Sequence, residues 1–259
     1  MDATRQDSSV ALVTGGAKRI GRAIALALAG DGWDIAVQFG HSAAEAAETV
    51  QAIEVLGRRA AAFGCDLADA DAVRALPGRC AHALGTLTCV VNNASLFEYD
   101  SAAAFSPELL ARATAINVAA PVLLARALAA QLPAGCQGVV INLLDQKLFN
   151  PNPDFLSYTL SKAALKEATT LLAQALAPRV RVVGVAPGIT LTSGEQSDAG
   201  FAVAHTKTPL GRSSTPADVA QAVAYAVRAR AVTGTTLLVD GGQHLVPSER
   251  DVMFLTEKP

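Results

Sequence analysis

Val10-Ala-Leu-Val-Thr14-Gly-Gly-Ala-Lys-Arg-Ile-Gly21 is the stretch from which the fold is read. Val10–Thr14 is a short, apolar, β-branched run and reads as a strand; Arg19–Ala29 carries the spacing of a helix. The glycines between them permit a tight turn and a close approach of backbone to a ligand. A strand that turns through glycines into a helix also aims the unpaired N–H groups of the first helical turn at whatever sits above it, which suits a pyrophosphate. The spacing is not the Gly-x-Gly-x-x-Gly of ordinary dinucleotide folds, and taken alone it also fits a strand–helix turn with no ligand.

Beyond this stretch the alternation repeats. Asp34–Phe39 reads as a second strand and Ser42–Leu56 as a helix. Arg59–Gly64 and Thr88–Asn92 read as strands three and four, with a helix at Asp71–Leu84 between them. A long helical stretch, Pro107–Leu132, precedes a fifth strand at Gly138–Leu144. Another, Tyr158–Leu176, precedes a sixth at Val180–Ala186, and Thr236–Val239 closes the series. Apolar strands separated by helices imply a parallel sheet covered on both faces, and right-handed crossovers make it doubly wound. The expected fold class is α/β, a single Rossmann-type doubly wound parallel sheet of about seven strands spanning residues 1–259. A short N-terminal tail precedes it and a C-terminal extension follows residue 245. Gly194–Thr208 is polar and irregular and reads as the mobile segment.

Composition excludes several classes. Of 259 residues 51% are hydrophobic and 17% charged, enough for a sizeable core. A net charge of −2 gives no basic field for nucleic acid. No apolar run approaches the roughly 18 residues of a membrane span, and Met1–Ser9 has no apolar signal core. The four cysteines, Cys65, Cys80, Cys89 and Cys136, lack metal or disulfide spacing and read as buried thiols in a reducing, cytoplasmic compartment. The four histidines are scattered, so no metal site is expected.

Two constellations carry chemistry. The second strand ends Gln38-Phe39-Gly40-His41-Ser42, with no carboxylate to meet a ribose 2′-hydroxyl; Asp34 lies at its beginning. Lys18 and Arg19 of the glycine turn reach the same region. Two cations, a histidine and a hydroxyl suit a 2′-phosphate, so NADPH is expected over NADH. The other constellation is Tyr158-Thr-Leu-Ser-Lys162, with Asp145 thirteen residues upstream. At i, i+4 tyrosine and lysine share a helix face. A nearby ammonium favours phenolate, which would bring Tyr158 toward use as a general acid.

Together these residues resemble a short-chain dehydrogenase/reductase from end to end. Thr14–Gly21 resembles that family's glycine turn, with Gly15, Ile20 and Gly21 on the cofactor. Asp66-Leu67 resembles the adenine-contacting pair after strand three, and Asn92-Asn93-Ala94 the motif after strand four. Asn117, Tyr158 and Lys162 match the catalytic Asn, Tyr and Lys, and Pro187-Gly188 the turn that meets the nicotinamide. Three departures point to a branch: Arg19 for the middle glycine of the turn, Ser95 for the glycine after Asn-Asn-Ala, and Asp145 for the catalytic serine. All three recur in the pteridine reductases and the related bacterial dihydromonapterin reductases. Phe97 matches the aromatic that stacks on a pterin there, with Ser95 and Leu191 beside it. His41 stands where an arginine usually does, which weakens the 2′-phosphate site.

The resemblance implies a hydride delivered from NADPH to a C=N carbon of a dihydropterin. Tyr158, assisted by Asp145, protonates the neighbouring nitrogen. An ionised Asp145 accepts hydrogen bonds only, and suits either the donor-rich edge of a pterin or a proton relay through Tyr158. Lys162 lowers the tyrosine pKa and holds the nicotinamide ribose, and Asn117 anchors a water and the lysine. The alternatives are a general carbonyl or quinone reductase, and a dinucleotide sensor without turnover. The partner expected is a small pterin-type molecule, with neither nucleic acid nor membrane. Ala/Leu-rich Ser106–Leu132 and Tyr158–Leu176 imply pairing into a homotetramer or homodimer. Val252-Met-Phe-Leu255 is too apolar for a free terminus. It is expected either to reach a neighbouring subunit, with Arg250 or Phe254 in its pocket, or to pack on its own.

Overall fold

The computed structural model describes residues 9–192 and 197–256. Seven strands, β1 (Val10–Val13), β2 (Asp34–Phe39), β3 (Ala60–Gly64), β4 (Leu87–Asn92), β5 (Gly138–Leu143), β6 (Val180–Pro187) and β7 (Thr236–Val239), form one sheet in the order β3-β2-β1-β4-β5-β6-β7. Every pairing is parallel. The strand order reverses between β1 and β4, and in such sheets ligands bind at that point, beyond the carboxyl ends of the strands.

Alternating strand residues build the two cores. Ala11, Val13, Ile35, Val37, Ile141 and Val183 face α1 (Arg19–Gly30), α2 (Ala43–Val55) and α8 (Pro216–Arg228). Val10, Leu12, Ala36, Val90, Val140 and Val182 face α3 (Ala70–Leu84), α5 (Ala120–Gln131) and α6 (Leu156–Leu176). Burial on both faces explains why these strands read as continuous apolar runs rather than alternating ones. Each fully buried Leu or Ile contributes about 1.5–3 kcal/mol, and Ile24, Leu28, Leu124 and Leu128 are all fully buried.

Several expectations change. The stretch Pro107–Leu132 is not one regular helix: α4 (Pro107–Thr114) and α5 are joined by a π-helical turn, Ala115–Ala119. Taken together, Pro107–Gln131 is long and apolar enough to cross a bilayer by length and composition, with a mean hydropathy of 1.6 over its most apolar 18 residues. Reading only uninterrupted apolar runs hides this, because scattered Arg and Glu divide it. In the structure α5 lies against α3 and β4. The segment read as irregular contains α7 (Asp198–Thr206), started by Ser197 Oγ accepting from Gly200 N; residues 193–196 of it lie outside the described residues. The helix α8 was absent from the reading of the sequence, although Thr215 and Asp218 form a reciprocal capping box at its start. Cys136 is exposed, whereas Cys65, Cys80 and Cys89 are buried as expected.

Candidate active site

The glycine turn and the loop after β4 are joined by hydrogen bonds. Thr14 Oγ1 accepts from the N–H groups of Asn93 and Ala94, both at 3.0 Å. Asn93 Nδ2 donates to the carbonyls of Thr14 (2.9 Å) and Gly15 (3.2 Å). Gly15 adopts φ +59°, and its N–H donates to Gln38 Oε1 at 2.9 Å. A Cβ on Gly21 would lie 2.1 Å from the Gly15 carbonyl oxygen, so this contact admits only glycine. No side chain caps α1, which leaves its first turn as an anion site of the expected kind.

The two basic residues of the turn diverge. Arg19 has φ +56°, a left-handed conformation that costs a side-chain-bearing residue roughly 1–2 kcal/mol. Its Nη2 donates to the Thr192 carbonyl at 2.8 Å, and the residue lines the main cavity. Lys18 points the other way and pairs with Glu45, in the first turn of α2, at 3.7 Å. The expectation that both cations meet at the end of β2 is therefore corrected: only Lys18 is near it. That region is not free of carboxylates either, because Glu45 is brought there by the helix register. Both partners are about half exposed, and such a pair contributes at most about 1 kcal/mol, so Lys18 is exchangeable toward a phosphate. His41 is exposed beside Ser42, the N-terminal boundary residue of α2, and Asp66 is exposed beyond β3 with Leu67 buried behind it.

A cavity of about 310 Å³ opens at the carboxyl edge of the sheet. Ile20, Asn93, Ser95 and Phe97 line it from one side, Asp145, Tyr158 and Lys162 from the centre, and Pro187, Gly188 and Leu191 from the other. A Cβ on Gly188 would meet Ser213 Oγ at 2.5 Å, so the turn after β6 also requires glycine.

At its centre the Tyr158 hydroxyl donates to Asp145 Oδ2 at 2.7 Å, while Asp145 Oδ1 accepts from Lys147 N at 2.8 Å. Burial raises the Asp145 carboxyl above the usual carboxylate range, against the lowering effect of these two bonds. Burial also pushes the Tyr158 hydroxyl well above 10, reinforced by the charge of Asp145, the bond to it and the charge of Asp251. The expected depression of the tyrosine by Lys162 is thus reversed. Lys162 Nζ lies 5.8 Å from the centre of the tyrosine ring and donates to the Leu143 carbonyl at 2.7 Å. Burial lowers Lys162 itself from 10.5 to about 8, with Asp145 opposing.

Asn117 is engaged through its side chain with the loop after β4 and with α6. Its Oδ1 accepts from Leu96 N at 2.8 Å; its Nδ2 donates to Leu96 O at 3.0 Å and Ser161 Oγ at 2.9 Å. It contacts neither Lys162 nor the cavity among the described residues. It clamps the loop carrying Ser95 and Phe97 onto α6, and it sits in the π turn, a feature frequent at functional sites. Asp100, unremarked in the sequence, holds the start of α6 by accepting from Ser157 N (2.9 Å) and Ser157 Oγ (2.5 Å). Asp145 instead caps the short turn Gln146–Leu148.

Phe97 lines the cavity as read, but one face is already covered. Its ring stacks on Phe155 at 4.3 Å and meets Tyr158 edge-on at 4.7 Å, with 39% of the residue exposed. Phe155 is a second left-handed residue, φ +55°, and its place at the N-terminus of α6 gave no signal in the sequence. The C-terminal tail completes the wall. Asp251, Val252 and Met253 line the cavity, and Phe254 packs on Tyr99 and Phe155 at 5.4 and 6.0 Å. Arg250 holds Asp154 through Nε and Nη2 at 2.8 and 2.9 Å. The cross-subunit placement of Arg250 and Phe254 is corrected accordingly: both are satisfied within their own chain.

The short chain dehydrogenase family profile matches residues 9–199. The crystal structure of FolM alternative dihydrofolate reductase 1 from Brucella suis, in complex with NADP, is 40% identical, with a TM-score of 0.89 over 93% of this chain and 96% of that one. An uncharacterized oxidoreductase of Mycobacterium tuberculosis is 36% identical over 93% of this chain and 94% of its own. The L-2,3-butanediol dehydrogenase of Corynebacterium glutamicum is 33% identical over 91% of this chain and 98% of its own.

Two outcomes follow from the central geometry. Tyr158→Phe removes the hydroxyl bonded to Asp145 and little bulk, so turnover should fall by about 10²–10⁴-fold with cofactor affinity retained; retained turnover in a stopped-flow assay would assign the proton to another group. Lys162 contributes a pH-dependent term to stability. With its folded pKa near 8 and its unfolded value near 10.5, the unfolded chain binds more protons across that window, so stability rises with pH there. Relative to Lys162→Met, the parent protein should gain roughly 2–3 kcal/mol between pH 7.5 and pH 10.5, read by urea denaturation; parallel stabilities would show an unshifted lysine.

Proposed function

The chain belongs to the short-chain dehydrogenase family, and on that premise we propose that it is an NADPH-dependent reductase of a dihydropterin C=N bond. The observation that carries this reading is the 2.7 Å hydrogen bond from Tyr158 to Asp145. A ketone needs one donor on its oxygen. A carboxyl group hydrogen-bonded behind that donor, and raised by burial from the ordinary carboxylate value, is placed to relay a proton to the tyrosine once it has protonated a ring nitrogen. The solved relative described as an alternative dihydrofolate reductase, complexed with NADP, supports the same substrate class and cofactor.

The residues fit the cofactor. Gly15, Ile20 and Gly21 leave room for a pyrophosphate at the start of α1, and Arg19 stands over it. Lys18, His41 and Ser42 would meet the 2′-phosphate, and Asp66 and Leu67 the adenine. Pro187 and Gly188 would flank the nicotinamide beside Asn93, Ala94 and Ser95. Bound there, NADPH supplies the hydride. Lys162 uses one N–H on Leu143 O and keeps two for the ribose hydroxyls. The uncovered part of Phe97 offers a flat ring a stacking partner, contributing about 0.5–1.5 kcal/mol beyond burial. Tyr158 passes its hydroxyl proton to the substrate nitrogen, and Asp145, bonded to that hydroxyl, relays a proton taken from solvent to the resulting phenolate. Asn117 positions Phe97 and α6 and takes no part in proton transfer.

A second reading is a general carbonyl or quinone reductase, favoured by the butanediol dehydrogenase among the relatives. A sensor without turnover has no use for the Tyr158 proton. Exposed Leu160 and Leu171 on one face of α6 fit pairing into a homodimer or homotetramer, and we place the protein in the cytoplasm.

Mixing the protein with NADPH and a dihydropterin should consume NADPH absorbance, with vicinal diketones much poorer; activity on diketones alone would select the second reading. The split of the two cations gives a separate outcome. Lys18→Ala should lower kcat/KM for NADPH about tenfold while sparing NADH, as expected for a charged hydrogen bond. Arg19→Gly should weaken both cofactors alike and leave the melting temperature nearly unchanged, since relief of the left-handed backbone offsets the lost bond to Thr192. An NADPH-selective loss in Arg19→Gly would return the 2′-phosphate to Arg19.

A further inference from the structure

The central carboxylate leaves a gap in recognition. A dihydropterin ring carries a 2-amino group and a lactam, an edge rich in N–H donors. Asp145 is the more tightly engaged acceptor for that edge, because both its oxygens are held in short bonds, Oδ2 from the Tyr158 hydroxyl at 2.7 Å and Oδ1 from Lys147 N at 2.8 Å. Other acceptors must line the same cavity, and the wall next to Asp145 holds two. Gln146 is 9% exposed, lines the cavity, and its Oε1 is buried with no hydrogen-bond partner. A buried acceptor left unpaired is costly, which is why such atoms in native proteins are met by ligand, water or protein. Gln243 on the same wall is engaged: its Oε1 accepts from Ile189 N at 3.1 Å.

Asp251 is the other acceptor. It arrives from the C-terminal tail and lines the same cavity. Its protein bonds are long: Oδ2 accepts from Lys147 Nζ at 3.3 Å and Oδ1 from Met253 N at 3.2 Å. Each carboxylate oxygen accepts more than one bond, so both keep capacity. Lys147 follows Gln146 in the chain and holds Asp251, and Gln146 and Asp251 line the same cavity. Both also border a smaller recess of about 90 Å³ beyond the tail.

We propose that Gln146 and Asp251 form the subsite that reads the 2-amino-4-oxo edge of the substrate, on the cavity wall beside the proton-donating pair, with Asp251 supplied by the chain's own tail. The proposal rests on the reading of the site as a dihydropterin pocket. Asp251 accepts from the 2-amino group. The Gln146 amide, an acceptor and a donor side by side, matches the N–H and C=O of the lactam. Asp145 is thereby left to proton transfer.

The test compares a 2-amino-4-oxo-7,8-dihydropteridine with its 2,4-dioxo counterpart at saturating NADPH on the full chain. The parent should prefer the amino compound in kcat/KM by about tenfold or more, the scale of a charged hydrogen bond. In Asp251→Asn that ratio should collapse to within about threefold, the residue of a neutral bond. The ratio is internal to each protein, so partial unfolding does not move it. Gln146→Leu should lower kcat/KM for both compounds about tenfold with the ratio kept. Gln146→Glu, which places a charge against the lactam carbonyl, should do the same and serves if the leucine variant fails to fold. A parent active on the amino compound whose ratio survives Asp251→Asn, or whose rates survive both Gln146 variants, overturns the subsite and leaves the pocket reading standing. A parent inert toward both pteridines overturns the pocket reading and the subsite with it.

Discussion

Thr14 and Asn93 hold the sheet's switch point together, and the remaining geometry is hung from that junction. Two loops that leave β1 and β4 in opposite directions would otherwise splay apart at the carboxyl edge. Thr14 Oγ1 takes the two N–H groups of Asn93 and Ala94, and the Asn93 amide returns to the carbonyls of Thr14 and Gly15. These are backbone groups whose burial without partners would be costly. Because they are met by side chains, no backbone strand is needed to close the gap, and the edge stays open as a crevice. Gly21 must then pass directly beneath the Gly15 carbonyl, which fixes the axis of α1. Asn117 extends the same device one layer further, tying the loop that begins at Asn93 to Ser161 on α6.

Elements dictated by local chemistry were legible from the sequence. The glycine turn and the seven strands follow from spacing and from apolar runs, and the convergence of Asp145, Tyr158 and Phe97 on one cavity is what the family resemblance implied. What was not legible depends on burial and on contacts between distant segments. The sign of the Tyr158 shift is an example. An ammonium one helical turn away favours phenolate only if its charge faces the hydroxyl across little else; here the ammonium is directed to Leu143 O, while the Asp145 carboxyl lies in direct contact. The Glu45–Lys18 pair depends on the register of α2 against the turn, and left-handed Phe155 packs against three rings from two other segments, the loop after β4 and the tail. The omission of α8 is of another kind, since Thr215-Pro-Ala-Asp218 is a local start signal.

Tyr158 occupies a position between two carboxylates and a lysine that does not neutralise it. Both neighbouring acids, Asp145 and Asp251, raise the hydroxyl, and Asp251 also raises Asp145. Raised in this way, the Tyr158 hydroxyl holds its proton, so it is organised to give a proton rather than to abstract one. That direction suits reduction, in which the product nitrogen or oxygen must gain a proton. It also divides labour with Lys162, whose buried charge destabilises the fold below pH 8 and is therefore retained for what it holds.

The tail is bound to this chemistry through Lys147. That residue is 3% exposed, and its ammonium donates to Asp154 O at 2.6 Å and to Asp251 Oδ2 at 3.3 Å. Asp154 in turn accepts from Arg250 and from Asp251 N. Lifting the tail would strip Lys147 and Asp154 of charged partners at once. Lys147 also supplies, through its backbone N–H, one of the two bonds that orient Asp145. One residue thus anchors the tail with its side chain and the proton relay with its main chain. The pocket wall and the acid pair are assembled as a unit, so a change at the tail is transmitted to Asp145 through a single rigid turn.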